Sequence, residues 1–423
     1  MVRIIVVGGG SAGWITAHYL KRNLDCNLTV VHEKENKIIA VGESTTPTIL
    51  KVIKDLKSWQ EDSKAIVKYG IQFKDWLRPG SEWFHLFEDA FVKEFGDSVE
   101  HLRNKHPKIN STLFNNFHGD FLDKCNNNLL DPQTNSIPGY GFQVQADKLG
   151  HACKNELKKD FGWHPHEYRL IKEDVKHVHF DEHGIQSIQT ESHTLHADYF
   201  IDCSGFKRIL IKNLTSFEPY KDMIANSYIT SRLDKHKKRP YTETTALKNG
   251  WRWEIDTQDR TNAGYVFCDH LTSHEKAMEE SGIQGEKKSF ISGKMKDVAI
   301  KNCISNGLAQ SFIEPLEATS LMMTCYTIEK FVDVIKRKKN IKTLNKVMNR
   351  FLNHTKEFVK YHYILSERRD SEWWRYWTEQ ENNIQDFFER SLNNKRYCKQ
   401  NDTLLNHYNI GSMMVGYECF GRR

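Results

Sequence analysis

The sequence predicts an α/β protein: a parallel sheet with an attached β-meander, joined to a smaller, mainly helical module. Three observations carry this reading. A wholly apolar, β-branched run at residues 4–7 (IIVV) leads directly into GGGSAG and then into WITAHYLKRNL, whose apolar residues recur at helical spacing. Residues 174–203 alternate polar and apolar in short stretches (VKHVHF, GIQSIQT, HTLHADYFIDC), the pattern of strands with one wet face. From about residue 310 onward, helical patterns dominate.

Taken in order, the run at 4–7 reads as a strand buried on both faces, because only such a strand dispenses with polar alternation. The helix after it is followed by a second, mostly apolar strand at 28–31, with Glu33 just past its end. The chain therefore opens with a strand–turn–helix–strand unit. Residues 50–130 are mixed and rich in aromatics, and GYGFQVQADKLGHACKNELKK (139–159) reads as a strand or loop followed by a helix. The meander at 174–203 returns to the main sheet. Residues 225–270 look strand-rich, with Trp251, Trp253, Tyr265 and Phe267 at alternating positions. We expect a main module over 1–345, with about 50–135 and 210–300 contributing to a substrate side, and a helical C-terminal part over 346–423.

Composition bounds the function. The chain has 423 residues, 27% charged and 39% hydrophobic, with a net charge of +6, which is ordinary for a water-soluble globular protein. The basic runs at 235–239 and 336–339 are short, so no nucleic-acid partner is expected. Nine cysteines occur without a CxxC pair, which argues against a disulfide framework or a zinc site and for a reducing compartment. No stretch approaches the roughly 20 apolar residues of a membrane span, and a cytoplasmic location with no membrane partner is expected.

Gly8-x-Gly10-x-x-Gly13 sits where a strand turns into a helix. The first glycine permits the tight turn, the second lets backbone approach a pyrophosphate, and the third lets helix and strand pack. The amides at the helix start, those of Ser11 and Ala12 included, face the anion with the positive end of the helix dipole. Glu33, 20 residues after Gly13, stands where a carboxylate hydrogen-bonds a ribose hydroxyl. The unit is Rossmann-like. Regular strand–helix alternation stops after residue 31, and YFIDCSGF (199–206) reads as a late return to the same unit. That layout suits FAD, whose long body is covered by distant segments, rather than NAD. No second nucleotide fingerprint for NAD(P)H is present.

Several motifs, colinear from residue 4 to about 377, together resemble the flavin-dependent tryptophan halogenase family. They are GGGSAGW (8–14), GESTTPTI (42–49), IVKYGIQFKDW (66–76), GWRWEID (250–256), QDRTNAGYVF (258–267), SFIEPLEATS (311–320) and HYILSERRDSEWWR (362–375). The resemblance implies an FAD module of the aromatic-hydroxylase type. It implies a flavin-side strap with Gly42, Glu43, Ser44 and Thr45, and further cofactor contacts at Asp202 and Leu308. It implies Lys68 and Glu317 as catalytic residues, the Thr319 and Ser320 amides as halide donors, and Trp251 and Trp253 as rings that keep organic substrate from the flavin. The implied reaction is FADH2- and O2-dependent halogenation of an electron-rich aromatic molecule through hypohalous acid delivered to Lys68. Reduced flavin would come from a separate reductase, no metal takes part, and a homo-oligomer is possible.

Each role has physical content. A halide needs a small dry pocket with N–H donors, since an unpaired anion in apolar surroundings is costly. Lys68 would act as a haloamine or as a hydrogen-bond donor, and the first route needs a desolvated amine of lowered pKa. Glu317 would stabilise the charge of electrophilic substitution or remove the ring proton. Phe84, Phe87, Trp373, Trp374 and Trp377 line an aromatic pocket or fill the core. The sequence departs from the family at Asp256, where proline is usual and a looser turn is expected. It also departs at Ala318, often serine, and at Ser320, glycine in tryptophan-specific members. Two rivals stay open: a flavin hydroxylase and a non-catalytic FAD-fold scaffold.

Overall fold

In the computed structural model, residues 1–34, 43–53, 55–56, 58–87, 140–161, 168–234, 236–380, 409, 413, 416 and 417 are described. The N-terminal apolar run is the strand Val2–Val7, an inner member of a six-stranded sheet. It lies parallel to Cys26–His32 on one side and to Tyr199–Asp202 on the other. Ile4 and Val6 belong to one apolar cluster and Ile5 and Val7 to another, on the opposite face. Covering both faces is the reason the run tolerates no polar residue. Tyr168–Lys172 and Cys303–Ser305 extend the sheet in parallel on its two flanks, so the nucleotide unit is completed by segments far along the chain.

The meander is there as expected: His177–Asp181, Gly184–Gln189 and Thr194–Leu195 form an antiparallel sheet. A second large sheet has seven strands. Its inner members are Gly250–Asp256, paired antiparallel with Thr261–Phe267 and Thr242–Ala246, and Gly70–Lys74, which runs parallel to Thr242–Ala246. Between the two large sheets in the chain's path lies a small one, in which Gly141–Val144 pairs with Glu43–Ser44 on one side and Ile66–Lys68 on the other. One strand thus joins the strap to the segment that carries Lys68.

The helices Thr319–Lys336, Ile341–Ile364 and Glu372–Thr378 follow. The division expected at 345–346 falls inside Ile341–Ile364, and Phe351 of that helix stacks on Tyr326 with centroids 4.2 Å apart. Helix and nucleotide unit share one apolar cluster. Among the described residues no helix is long and apolar enough to cross a membrane.

The turn at Asp256 is anchored rather than loosened. The Asp256 carboxylate is fully buried, accepts from the Arg239 amide and Nε at 2.8 Å each, and also receives the Thr261 hydroxyl. Arg239 in turn reaches Glu254 at 2.7 Å and Glu243 at 2.9 Å. A charged residue holds this corner because it is paired on every side.

Candidate active site

At the glycine turn the three positions differ as their roles require. Gly8 has φ +132°, and a Cβ there would lie 2.2 Å from the Cys203 carbonyl oxygen. A Cβ on Gly13 would lie 2.1 Å from the Gly8 oxygen, whereas one on Gly10 meets nothing within 4 Å. The helix Ser11–Asn23 has no side-chain cap and no acid in its first turn, so the Ser11 and Ala12 amides stand free of an internal partner at the positive end of the dipole. The Ser11 hydroxyl is spent on the Ala146 carbonyl at 2.8 Å. The turn bearing Leu308 comes against this helix start: a Cβ on Gly307 would sit 2.5 Å from that of Ala12. At the carboxyl ends of the first two strands is a cleft of about 230 Å³, bordered by Gly8, Val31, Glu33, Glu173, Asp174 and Lys207. Glu33 accepts from the Gly9 amide at 3.4 Å and lies 3.9 Å from the Lys207 amine. An open Gly10, an uncapped helix and a carboxylate on the cleft fit the nucleotide end of FAD.

Asp202, expected as a cofactor contact, ends the returning strand Tyr199–Asp202. It is fully buried, and its carboxylate accepts the Ser204 amide and hydroxyl at 3.0 and 2.6 Å and the Leu210 and Ile211 amides at 2.7 and 2.9 Å. With its lone pairs committed to its own turn, this side chain shapes the strand end.

Of the strap, Gly42 lies outside the described residues. Glu43 is half-buried, and burial, helped by Asp147, pushes its carboxyl up to about 7. Thr45 exchanges hydrogen bonds with the Phe142 backbone at 2.7 Å in both directions, and Ser44 lies 3.1 Å from the Thr242 hydroxyl.

The Lys68 side chain is fully buried, and its amine has no hydrogen-bond partner among the described residues. It lies 4.7 Å from the Phe87 ring centroid. Burial brings its pKa down to about 7 against the pull of Glu317, as an amine taken out of water must respond. Phe87 in turn is 6.0 Å from the His85 ring, and His85 Nδ1 lies 2.8 and 2.9 Å from the two Glu317 oxygens. On the other flank of the carboxylate, His362 Nε2 is 3.0 Å away. Both imidazoles meet an oxygen at their second nitrogen, Asn409 Oδ1 at 2.8 Å and the Phe358 carbonyl at 2.9 Å. Burial alone would raise the Glu317 carboxyl, but His85 and His362 outweigh it and hold the group well below the usual carboxylate range.

Neither histidine is marked by the sequence. His362 opens the segment HYILSERRDSEWWR, and His85 shares the strand Glu82–Leu86 with aromatic residues. Neither has a local pattern; only the fold sets them about one carboxylate.

Glu317 and Ala318 both have positive φ, +65° and +55°, which for non-glycine residues stores strain of about 1–3 kcal/mol each. That kink starts the helix Thr319–Lys336, which has no side-chain cap, so the Thr319 and Ser320 amides stand at its positive end. Trp251 and Trp253 are buried; Trp253 lies over Gly264, where a Cβ would come within 2.3 Å of the indole, and Trp251 is 5.9 Å from Trp76. Trp373, Trp374 and Trp377 are fully buried with Tyr363 and belong to the core.

Comparison with known proteins agrees with this geometry. Residues 3–423 match the family described as tryptophan halogenase. The chain is 28% identical over 422 residues to tryptophan 7-halogenase KtzQ of Kutzneria sp. (strain 744), covering 88% of this chain and 78% of that protein. It is 26% identical over 424 residues to tryptophan 7-halogenase RebH of Lentzea aerocolonigenes, with the same coverage. In fold it is similar to BrvH, a flavin-dependent halogenase from Brevundimonas sp. BAL3, with TM-score 0.82, 22% identity, and 99% of this chain and 90% of that one covered. The chain is a flavoprotein oxidoreductase and belongs to the tryptophan halogenase family.

Proposed function

We propose that this enzyme halogenates an electron-rich aromatic small molecule, using FADH2 from a separate flavin reductase, O2 and a halide ion. The observation that carries the reading is Lys68, a buried amine with no hydrogen-bond partner among the described residues, within the electrostatic reach of an ionised Glu317. When bound, the reduced flavin with O2 supplies the oxygen that turns halide into hypohalous acid. The chain's residues do the rest. Ser11 and Ala12 amides hold the pyrophosphate, Glu33 holds a ribose hydroxyl, and the strap at 43–45 runs along the cofactor. The amides of Thr319 and Ser320 hold the halide, and Trp251 and Trp253 keep the organic substrate from the flavin.

Lys68 receives the oxidant and orients it toward the substrate, with a pKa near working pH so that both its forms are accessible. Glu317, ionised and fixed between two imidazoles, offsets the positive charge built on the ring and takes its proton. The strand Gly141–Val144 couples the strap to the Lys68 strand, which keeps cofactor and amine in fixed relation. The relatives named for acting on tryptophan suggest an indole-like substrate.

The test is a panel of aromatic substrates with a flavin reductase, NADH and chloride, bromide or iodide in turn, read by product mass. Halide-dependent mass gain that vanishes in Lys68→Ala, with flavin binding intact, is the expected result. Oxygenated product without halide, or halogenation retained by Lys68→Ala, overturns it.

A further inference from the structure

Two acids lie on the loop that precedes the helix Thr319–Lys336, and consecutive residues of the helix Ile341–Ile364 hold them: His362 faces Glu317, and Tyr363 faces Glu314. Glu314 is 1% exposed. Its Oε1 accepts the Tyr363 hydroxyl at 2.5 Å, and its Oε2 has no hydrogen-bond partner among the described residues. None of the ion pairs among those residues includes it, in contrast to Glu317. The tyrosine that holds it is packed among aromatic rings: Tyr363 stacks on Trp377 with centroids 4.4 Å apart and lies 5.3 Å from Trp76, which is 5.9 Å from Trp251.

A carboxylate with one hydrogen bond and no counter-charge is costly in such a place, and the neutral acid is the stable form. Burial accordingly pushes Glu314 up to about 8, with the Tyr363 hydrogen bond pulling the other way. One loop thus carries two carboxyl groups in opposite protonation states, the arrangement by which acid and base roles are divided.

We propose that Glu314 is a second working group of this site, a carboxylic acid kept protonated beside the Tyr363 hydroxyl on the loop that carries Glu317, which donates the proton consumed when halide is oxidised. The proposal rests on the halogenase reading. The balance requires such a donor: FADH2 + O2 + X− + H+ gives FAD + H2O + HOX. Halide gives up two electrons as the O–X bond forms, and one proton must be supplied. The second half, Ar–H + HOX giving Ar–X + H2O, takes up none, since the ring proton goes to Glu317 and returns to the leaving hydroxide. Glu314 then recovers its proton from solvent between turnovers, and Tyr363 acts as its positioning residue.

The first test uses the protein without flavin. Infrared difference spectra in H2O and D2O at neutral pH should show the carbonyl stretch of a protonated carboxyl that is absent from Glu314→Gln. In Tyr363→Phe the band should persist and move, because the hydrogen bond to that carbonyl is gone. No such difference between wild type and Glu314→Gln overturns the assignment, and the near-isosteric change keeps folding checkable by thermal denaturation. The second test traps hypohalous acid with a thioether in the absence of aromatic substrate. Glu314→Gln should form oxidant about 10²-fold more slowly with flavin affinity unchanged. Trapping at the wild-type rate in Glu314→Gln removes Glu314 and leaves the halogenase reading standing. Absence of trapped oxidant from wild type with every halide removes that reading, and this proposal with it.

Discussion

The glycine turn and the buried cluster of Lys68 and Glu317 are built from different materials. At the turn, backbone does the binding: Gly10 leaves space, Gly8 and Gly13 leave none, and the Ser11 hydroxyl is occupied elsewhere. In the cluster, His85 and His362, from elements hundreds of residues apart, meet at the Glu317 carboxylate, and Lys68 is buried within its electrostatic reach. A site made of amides tolerates changes of side chain except where a Cβ has no room. A site made of buried charged groups fails when one atom type changes, because each group's protonation depends on the others. The predictions below exploit this contrast.

The largest effect is expected at Lys68. Lys68→Met keeps the volume and removes the amine, and halogenation should fall by about three orders of magnitude or more, since the oxidant loses its acceptor and orientation. Flavin binding should be unchanged. The same variant should be more stable than wild type. The folded-state pKa of Lys68 is depressed from 10.5 to about 7, so below about 7 the folded protein bears the full cost of a buried charge. That cost is relieved as pH rises toward 10.5, because the folded state there binds fewer protons than the unfolded one. Urea denaturation should show Lys68→Met ahead by on the order of a few kcal/mol at pH 6, with the gap closing by pH 10. An equal gap at both pH values would mean that the amine is not desolvated. In the wild type, halogenation rising through pH 7 marks the haloamine route, and halogenation falling there marks the ammonium donor.

Next comes Glu317. Its carboxyl is held low by His85 and His362 against the effect of burial, so acid loss of activity from this group should begin well below its ordinary titration range. Glu317→Gln should lower kcat about 10²-fold while hypohalous acid is still formed, measured as trapped oxidant against halogenated product. Loss of both together would place Glu317 in oxidant formation instead.

Sequence reading reached these two regions unequally, and the reason is physical. A phosphate-binding turn is local: strand, glycines, helix and Glu33 lie within 33 residues, and periodicity plus backbone sterics reveal them. Asp202 was visible as the end of the returning strand, but its commitment to the amides of Leu210 and Ile211 was not, because hydrogen-bond partners are set by the turn's conformation. The cluster of Lys68 and Glu317 carries no period. Lys68 and Glu317 stood out only through motif resemblance, and His85 stayed hidden, since what distinguishes it is a partner 232 positions away. The left-handed φ of Glu317 and Ala318 has no glycine to announce it; tertiary packing imposes it.

A smaller effect separates glycines within the turn. Gly13→Ala forces a Cβ to 2.1 Å from the Gly8 oxygen, and should destabilise the fold by several kcal/mol as helix and strand part. Gly10→Ala meets no protein atom within 4 Å, so thermal stability should stay within a degree or two. Its added methyl occupies the approach of the pyrophosphate, and FAD affinity should fall about tenfold, an amount that measures roughly 1.4 kcal/mol. Equal loss of stability in both variants would show that Gly10 serves the fold rather than the ligand.

The smallest effect on chemistry should come from Asp256, which is no member of that cluster. Gln143 connects the two: its side-chain amide donates to the Arg239 carbonyl at 2.7 Å and its oxygen accepts the Asp256 amide at 3.1 Å, while Gln143 itself pairs with Ile66 of the strand that carries Lys68. Asp256→Asn keeps the shape and removes the charge, leaving Arg239 with Glu243 and Glu254 alone. Breaking a buried pair on one side costs about 3 kcal/mol when other partners remain, and chemical denaturation should show that loss. Because the backbone bonds through Gln143 survive, kcat should change by no more than about two- to threefold at temperatures where the variant is folded. A fall as large as that of Glu317→Gln would mean that the charge network around Asp256 sets the electrostatics of Lys68 and Glu317 directly, and that structural and working charges are not separate in this enzyme.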